Sequence, residues 1–320
     1  MATPRKKLVD PENACAYHLV SKCTRGMFLC GWDRYTRRQH KHRRRWLVKR
    51  ARSLAECFAI NLLTYAVMSN HFHLIVIFDP KACETWSDEE VARRWVDAFP
   101  PPSPPRSAKR GKFAVARIWE QRKNDRRELL LSDPDRLERA RRTLGSLSSF
   151  MKHLKQPIAR WANLEDGCEG HFFEQRFYSG ALLSEKAIIA AAAYVDLNPV
   201  RAELAERLDE YEDVAIAERI REDSPERLED YLRPIASGLG EQRYRSFVDI
   251  TLGDYVGLLE GIVAARTTPE TETVQSDRIS DWRARVFALS KRQRAYGSAE
   301  LLRAWTNQRG LRWLETPLPG

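Results

Sequence analysis

The chain has no long run of apolar residues. None of its segments approaches the length of about 20 apolar residues that a helix needs to cross a bilayer. Residues Met1–Leu8 are basic and lack the apolar core of a secretory signal peptide. We therefore expect a cytoplasmic protein with no membrane partner.

Cysteine pairs at metal-binding or redox spacing are also missing. The six cysteines, none of them in a C-x-x-C pair, are Cys15, Cys23, Cys30, Cys57, Cys83 and Cys168. In a cytosolic chain such residues are mostly reduced and packed as small apolar side chains. A zinc site at Cys15, His18 and Cys23 fits no standard ligand spacing. The H-E-x-x-H pattern of zinc hydrolases is absent as well, so that class of enzyme is the least favoured.

Acidic residues are outnumbered by basic ones. The chain has 54 Lys and Arg against 44 Asp and Glu, a formal net charge of +10. An excess of positive charge favours a polyanionic partner, either nucleic acid or an anionic membrane, although many basic proteins bind neither. The densest basic stretch is Arg34–Trp46 (RYTRRQHKHRRRW), where Trp32, Tyr35 and Trp46 lie among the charges. Because rings can stack on bases while cations bind phosphates, we favour nucleic-acid binding over a solvated helix flank.

Hydrophobic periodicity predicts a chain of mixed strands and helices. The predicted strands are Ala16–Thr24, Asn61–Met68, His71–Phe78 and Arg176–Leu183, the middle two forming a hairpin around Ser69 and Asn70. The predicted helices are Trp46–Phe58, Ser87–Ala98, Ser132–Trp161 with an interruption at Pro157, and Ser184–Asn198. A basic, proline-rich loop spans Pro100–Lys112.

Two histidines lie two positions apart in the predicted strand His71–Phe78. Side chains alternate between the faces of a strand, so His71 and His73 share one face and Phe72 points to the other. Two imidazoles on one face can bind one divalent cation. The alternative is a pair of satisfied polar residues on a sheet face.

A second group of polar residues lies in the segment Ala192–Ala202 (AAYVDLNPVRA). Tyr194 and Asn198 are four positions apart in the helix that Ser184 caps, which puts them on one face, one turn apart. An amide oxygen of Asn198 is a plausible third ligand beside two histidines, and the hydroxyl of Tyr194 is then positioned at the metal. The alternative for Tyr194 is a core aromatic residue.

Three motifs follow one another in an order that resembles a known family. They are Met68–Val76 (MSNHFHLIV), Gly170–Phe177 (GHFFEQRF) and Tyr194–Ala202 (YVDLNPVRA). Together they resemble the REP-associated tyrosine transposases and the related insertion-sequence single-tyrosine transposases of the HUH class. The resemblance covers about residues 16–202 with interruptions, and extends more faintly to about residue 259.

This resemblance implies a catalytic site. It implies that His71 and His73 are the ligands of Mg²⁺ or Mn²⁺, that Tyr194 is the nucleophile, and that Asn198 completes the metal site. Related insertion-sequence enzymes carry Gln in the place of Asn198. The implied reaction is cleavage and rejoining of single-stranded or hairpin DNA through a 5′-phosphotyrosine. Tyr178 is an alternative nucleophile, but it has no ligand partner at helical spacing, and no general base is identified.

Six cations are our candidates for contact with DNA phosphates. They are Arg43, Arg44, Arg45, Lys49, Arg176 and Arg201. Arg176 lies at a strand entry together with Glu174 and Gln175, where polar residues are common without any ligand. Arg201 follows a helix end, where it can instead neutralise the helix C-terminus.

The resemblance also implies a fold: α+β, with a HUH-type (ferredoxin-like) antiparallel sheet of four or five strands flanked by helices. We divide the chain into a domain at residues 1–202, with an insertion at about 80–133, and a mostly helical C-terminal extension at 203–320 without an assignable role. A domesticated protein that binds repeat hairpins without cutting them is the alternative function. The presence of all candidate catalytic residues favours the enzyme. Monomer and homodimer both stay open, as does the DNA target sequence.

Overall fold

A computed structural model describes residues 4, 7–24, 27, 30–33, 37–102, 112–174, 176–222, 228–265, 274–311 and 315–319 of the chain. The strands in these ranges are β1 (Cys15–Lys22), β2 (Trp32–Asp33), β3 (Arg38–Gln39), β4 (Ile60–Val67), β5 (His71–Phe78), β6 (Tyr178–Leu182), β7 (Ala236–Ser237) and β8 (Ala295–Tyr296). The α-helices are α1 (His42–Ala55), α2 (Asp88–Ala98), α3 (Lys112–Leu131), α4 (Pro134–Leu144), α5 (Leu147–Asp166), α6 (Glu185–Asp196), α7 (Asn198–Arg201), α8 (Ala215–Glu222), α9 (Glu241–Arg245), α10 (Leu252–Ala264), α11 (Val274–Ala288) and α12 (Ala299–Gln308). Two short 3₁₀ helices lie at Ala82–Glu84 and Leu289–Lys291.

The mixed α+β class is confirmed, and the main sheet has six strands in the order β7-β4-β5-β1-β6-β8. All its pairings are antiparallel except that of β6 with β8. The prediction of four or five strands was wrong because β7 and β8 are two-residue strands, too short to produce a hydrophobic period. Both belong to the region after residue 202, so that region contributes the two edges of the sheet.

Helices cover both faces of the sheet. One face carries Tyr17, Leu19 and Leu74, which share a buried apolar core with residues of α1 and α5. The opposite face carries Ile75 and Ile77, which share a second core with residues of α6, α10 and α11. The side chains of β1 and β5 are therefore buried on both faces, which explains why these strands are apolar along most of their length.

Three helices begin directly after a capping side chain. Ser87, Asp133 and Ser184 each accept a hydrogen bond from a backbone N–H three residues later, at the start of α2, α4 and α6. The predicted helix Ser132–Trp161 is instead two helices. Helix α4 ends at Leu144, and Gly145 is its C-cap. Ser146 caps the start of α5, and Pro157 lies inside α5 without interrupting it. The pair Gly145-Ser146 therefore indicated the helix boundary better than Pro157 did.

Two other boundaries differ from the prediction. Helix α1 begins at His42, four residues before the predicted Trp46, so the last five residues of the basic run are helical. Residues 34–36 of that run and most of the proline-rich loop lie outside the described residues. None of the described helices is both long enough and apolar enough to span a membrane.

Candidate active site

The two histidines of β5 lie on the sheet face that α6 covers. Their ring centroids are 4.9 Å apart. His73 is opposite Val20 of β1 and His71 is opposite Lys22, so the pair lies toward one end of the sheet. His73 is buried and His71 is half-buried. The structure therefore brings both imidazoles to one face, as the H-x-H spacing predicts.

A third histidine, which the motifs did not identify, joins this pair. His18 of β1 is buried, and its Nε2 atom lies 2.8 Å from Nδ1 of His73. His18 and Val20 are two positions apart and so share a face, and Val20 is paired with His73. Only the antiparallel pairing of β1 with β5 brings His18 to this place. Sequence reasoning considered His18 only as part of a disfavoured zinc site and did not place it beside His73.

The three imidazoles are held in their neutral form. Burial, with the positive charge of Arg292 nearby, lowers the pKa of His18 to about 3 and contributes to lowering the pKa of His71 to about 4. Burial and the neighbouring histidines lower the pKa of His73 well below its ordinary value. Neutral imidazole is the form that binds metal ions.

Tyr194 lies directly against the histidines. Its ring centroid is 5.7 Å from that of His18 and 5.7 Å from that of His73. Helix α6 ends at Asp196, and Asn198 begins α7 because Pro199 has no N–H to continue the helical ladder. Leu197 between them stays helical, so Asn198 remains one turn from Tyr194. The side-chain amide of Asn198 lies 3.4 Å from Nε2 of His73.

The arrangement of nitrogen atoms fits a metal site. The Nδ1 atom of His71 lies 2.6 Å from Oδ1 of Asn70, and Nδ1 of His73 faces His18. Hydrogen bonds at Nδ1 leave Nε2 as the ligand atom of each imidazole. Atoms that share a cation at bonds of about 2.1 Å lie roughly 3.0–3.4 Å apart, which matches the spacing of His73 and the Asn198 amide.

The candidate ligand set is therefore two imidazoles and one amide. No group of three or more His, Cys, Asp or Glu residues that could hold a metal ion occurs within the described ranges. The amide oxygen and nitrogen of Asn198 are interchangeable by rotation, so either can face His73. A carboxylate is missing from this set, which makes it less negatively charged than most Mg²⁺ sites.

Tyr178, the alternative nucleophile, is bound elsewhere. Its hydroxyl donates to the carbonyl oxygen of Gln293 and lies 2.8 Å from the hydroxyl of Tyr296. Burial raises the pKa of Tyr178 well above its ordinary value. A Cβ on Gly180 would collide with this hydroxyl, so the glycine makes room for it. By contrast, the hydroxyl of Tyr194 has no hydrogen-bond partner among the described residues.

Two arginines lie near the candidate site, one at Tyr194 and one near the histidines. The guanidinium carbon of Arg201 lies 4.5 Å above the ring of Tyr194. Arg292 is exposed and lowers the pKa of all three histidines. Its guanidinium forms no hydrogen bond or ion pair with the described part of the chain, and its backbone has a φ of 52°. Arg292 belongs to the C-terminal region, where no motif could have indicated it.

The basic run is only partly available to DNA. The side chain of Arg43 is fully buried and paired with Glu165 and Asp166. Arg44 is also buried, 3.1 Å from Asp213. We therefore correct the prediction for these two residues, because a guanidinium enclosed with carboxylates is not accessible to a phosphate.

Arg45 and Lys49 are the exposed cations among those proposed in α1. Arg45 lies 3.2 Å from Glu212, with 70% of its side chain exposed. Lys49 and Arg176 are exposed too. Gln175 and Tyr35 fall outside the described residues. Nothing in the structure tests whether these cations contact DNA, and that role stays a prediction.

Comparison with known proteins finds one similar solved structure. No protein-family model matches the chain, and no curated protein matches it. Among solved structures the chain is similar to a REP-associated tyrosine transposase bound to a REP hairpin, with 10% sequence identity and a TM-score of 0.38. The match covers 69% of this chain and 87% of that chain. A likeness at this level does not establish membership of a family.

Proposed function

We propose that the protein is a metal-dependent, single-tyrosine transposase of the HUH class that cleaves and rejoins single-stranded DNA. The observation that carries the proposal is the packing of Tyr194 against His18 and His73, one turn before Asn198. A core tyrosine would be expected among apolar neighbours. This ring packs against the apolar core at α6 and in addition contacts two neutral imidazoles and a guanidinium. The motifs that resemble the transposase family lead to the same residues.

The chain offers defined atoms for each part of the reaction. Nε2 of His71, Nε2 of His73 and the amide of Asn198 would hold Mg²⁺ or Mn²⁺, and a cation there would withdraw charge from the scissile phosphate. Arg201, whose guanidinium lies over the ring of Tyr194, would add positive charge near a phosphate bound at this residue. Asn70 and His18 hold the two ligand imidazoles in orientation.

The covalent step exchanges one phosphate ester for another. The hydroxyl oxygen of Tyr194 forms a bond to phosphorus, and the bond from phosphorus to the 3′ oxygen breaks. The phenol proton is lost and the departing 3′ oxygen gains one, so the products are a 5′-phosphotyrosine and a free 3′-OH. Because the energy of the phosphodiester is retained, a 3′-OH can reverse the step and rejoin strands without ATP.

The test is cleavage of end-labelled single-stranded hairpin DNA with Mg²⁺ or Mn²⁺. We expect wild-type protein to cut and His71→Ala to lose cleavage while remaining folded. His153→Ala is the matched control, because His153 packs with Phe58 and Phe99 away from the site. Full activity of His71→Ala, or of wild type in excess EDTA, would contradict the proposal. DNA binding without any cutting would favour the alternative, a hairpin-binding protein.

A further inference from the structure

A pocket of about 600 Å³ opens beside the candidate nucleophile. One wall comes from the end of α6 and from α7, and the others come from α10 and α11. Its described lining includes Leu197, Val200, Arg201, Ile262, Arg283 and Phe287. The volume lies within the range of about 300–1,000 Å³ that is typical of small-molecule sites.

Arg201 connects this pocket to the candidate active site. Its guanidinium lies over the ring of Tyr194 and also lines the pocket. Tyr194, Leu197 and Arg201 follow one another at helical spacings of three and four residues, so they form one stripe. A strand whose phosphate lies at Tyr194 therefore has this pocket as its neighbour.

The chemistry of the lining suits a nucleotide. The walls are mostly apolar, and the ring of Phe287 is 65% exposed, so it is accessible to a ligand. Arg201, a charged residue of this lining, is exposed. Flat bases stack on aromatic rings irrespective of sequence, and guanidinium groups bind phosphates.

We infer that this pocket binds one unpaired nucleotide of the substrate strand, next to the scissile phosphate, with its base against Phe287 and its phosphate near Arg201. The inference rests on the proposed function. It gives the C-terminal helices α10 and α11 a role that the sequence motifs do not indicate. The exposed guanidinium of Arg201, which also lies over Tyr194, favours this occupant over an apolar peptide.

The probe is a DNA hairpin with thymidine tails of about six nucleotides on both ends, compared with the same hairpin without tails. Binding is measured by fluorescence anisotropy in EDTA, so that no cleavage occurs. We expect Phe287→Ala to weaken binding of the tailed hairpin about tenfold and to leave the untailed hairpin unchanged. Phe287→Trp, which keeps a stacking surface, should restore most of the affinity.

Phe113→Ala is the matched control, since Phe113 on α3 is 93% exposed and far along the chain from this pocket. A single 2-aminopurine moved along the tails should be quenched at one position in wild type and not in Phe287→Ala. If Phe287→Ala and Phe113→Ala both bind like wild type, the pocket assignment is overturned even when cleavage is intact. If wild type binds neither hairpin, the proposed function and this inference both fail.

Discussion

The Nε2 atom of His18 lies 2.8 Å from Nδ1 of His73. If Nε2 of His73 binds a cation, the proton of that ring must be on Nδ1, where it donates to His18. His18 then carries its own proton on Nδ1, which has no hydrogen-bond partner among the described residues. In that arrangement His18 would be a positioning residue that selects the tautomer of His73, at the cost of one unsatisfied buried atom.

Removing His18 should weaken the metal site. We expect His18→Ala to lower the affinity for Mn²⁺ by about 10- to 100-fold, as loss of a partner that orients a ligand usually does. His18→Gln, which keeps an acceptor, should lose less. Calorimetric titration of Mn²⁺ at a fixed pH measures this, with circular dichroism to verify folding. Equal affinity of all three proteins would leave His18 as a packing residue only.

The exposed cations of α1 should control the salt dependence of DNA binding. Replacing Arg45 and Lys49 by Gln should reduce the slope of log affinity against log salt by about 0.7 per lost phosphate contact. Arg142→Gln is the control, because Arg142 on α4 is also 70% exposed and paired with a carboxylate, Glu138. An unchanged slope in the double variant would show that α1 does not contact phosphates.

Arg43 should affect stability instead of DNA binding. Its fully buried guanidinium is hydrogen-bonded to Glu165 and Asp166 at the end of α5. Arg43→Gln would remove the guanidinium from both carboxylates, leaving His42 at Glu165, and lower the free energy of unfolding by about 1–3 kcal/mol. Urea unfolding measures the loss, and the salt slope of DNA binding should match wild type. A stable variant with a reduced slope would reinstate Arg43 as a phosphate contact.

Replacing Arg292 by glycine should raise the stability of the fold and lower the rate of cleavage. A non-glycine residue at a φ of 52° is strained, so Arg292→Gly should stabilise the fold by about 1 kcal/mol. The same change removes positive charge beside the histidines and should slow cleavage at least tenfold. Glu203→Gly is the control, since Glu203 has a φ of 56° and no positive charge. Unimpaired cleavage by Arg292→Gly would remove Arg292 from the site.

Ionisation of the Asp196 carboxyl should lower the stability of the fold as the pH rises. Thr64 and Tyr255 donate to it at 2.6 and 2.5 Å, which ties the helix of Tyr194 to β4 and α10. Burial raises the pKa of Asp196 to about 6. The folded state thus binds the proton more tightly than the unfolded chain, so this contribution is present below about pH 4 and is lost as the pH rises through about 6.

The comparison variant for this pH effect is Asp196→Asn, which cannot ionise. Between about pH 4 and pH 7, wild type should lose about 3 kcal/mol of unfolding free energy relative to Asp196→Asn, from a shift of roughly two pKa units. Denaturant unfolding of both proteins across this range measures the difference. Parallel pH curves would show that the carboxyl of Asp196 titrates normally in the folded state.

Local patterns predicted only part of this site. The shared face of His71 and His73 and the one-turn spacing of Tyr194 and Asn198 follow from the periods of a strand and a helix, so the sequence sufficed for them. His18 is 55 residues from His73 in the chain, and the two meet because β1 pairs with β5. Hydrophobic periodicity does not predict which strands pair.

The ion pairs of the buried arginines could not be predicted from the sequence either. A dense run of arginines predicts an exposed surface, yet Arg43 meets its carboxylates 122 and 123 residues later, on α5. Phe287 and Arg292 lie in a region without a motif, and that region reaches the site through the packing of α11 on α6 and the pairing of β8 with β6. Tertiary contacts between distant segments decide burial, and a single sequence does not contain them.

The most direct measurement of the central claim is a search for a covalent bond between Tyr194 and DNA. End-labelled single-stranded hairpin DNA is incubated with protein and Mn²⁺ and separated on a denaturing gel. Wild type should give a protein-linked 5′-phosphate fragment and a fragment with a free 3′-OH. Tyr194→Phe keeps the ring and its packing, so it should bind the hairpin and yield neither product. A covalent adduct that persists in Tyr194→Phe and disappears in Tyr178→Phe would contradict the account.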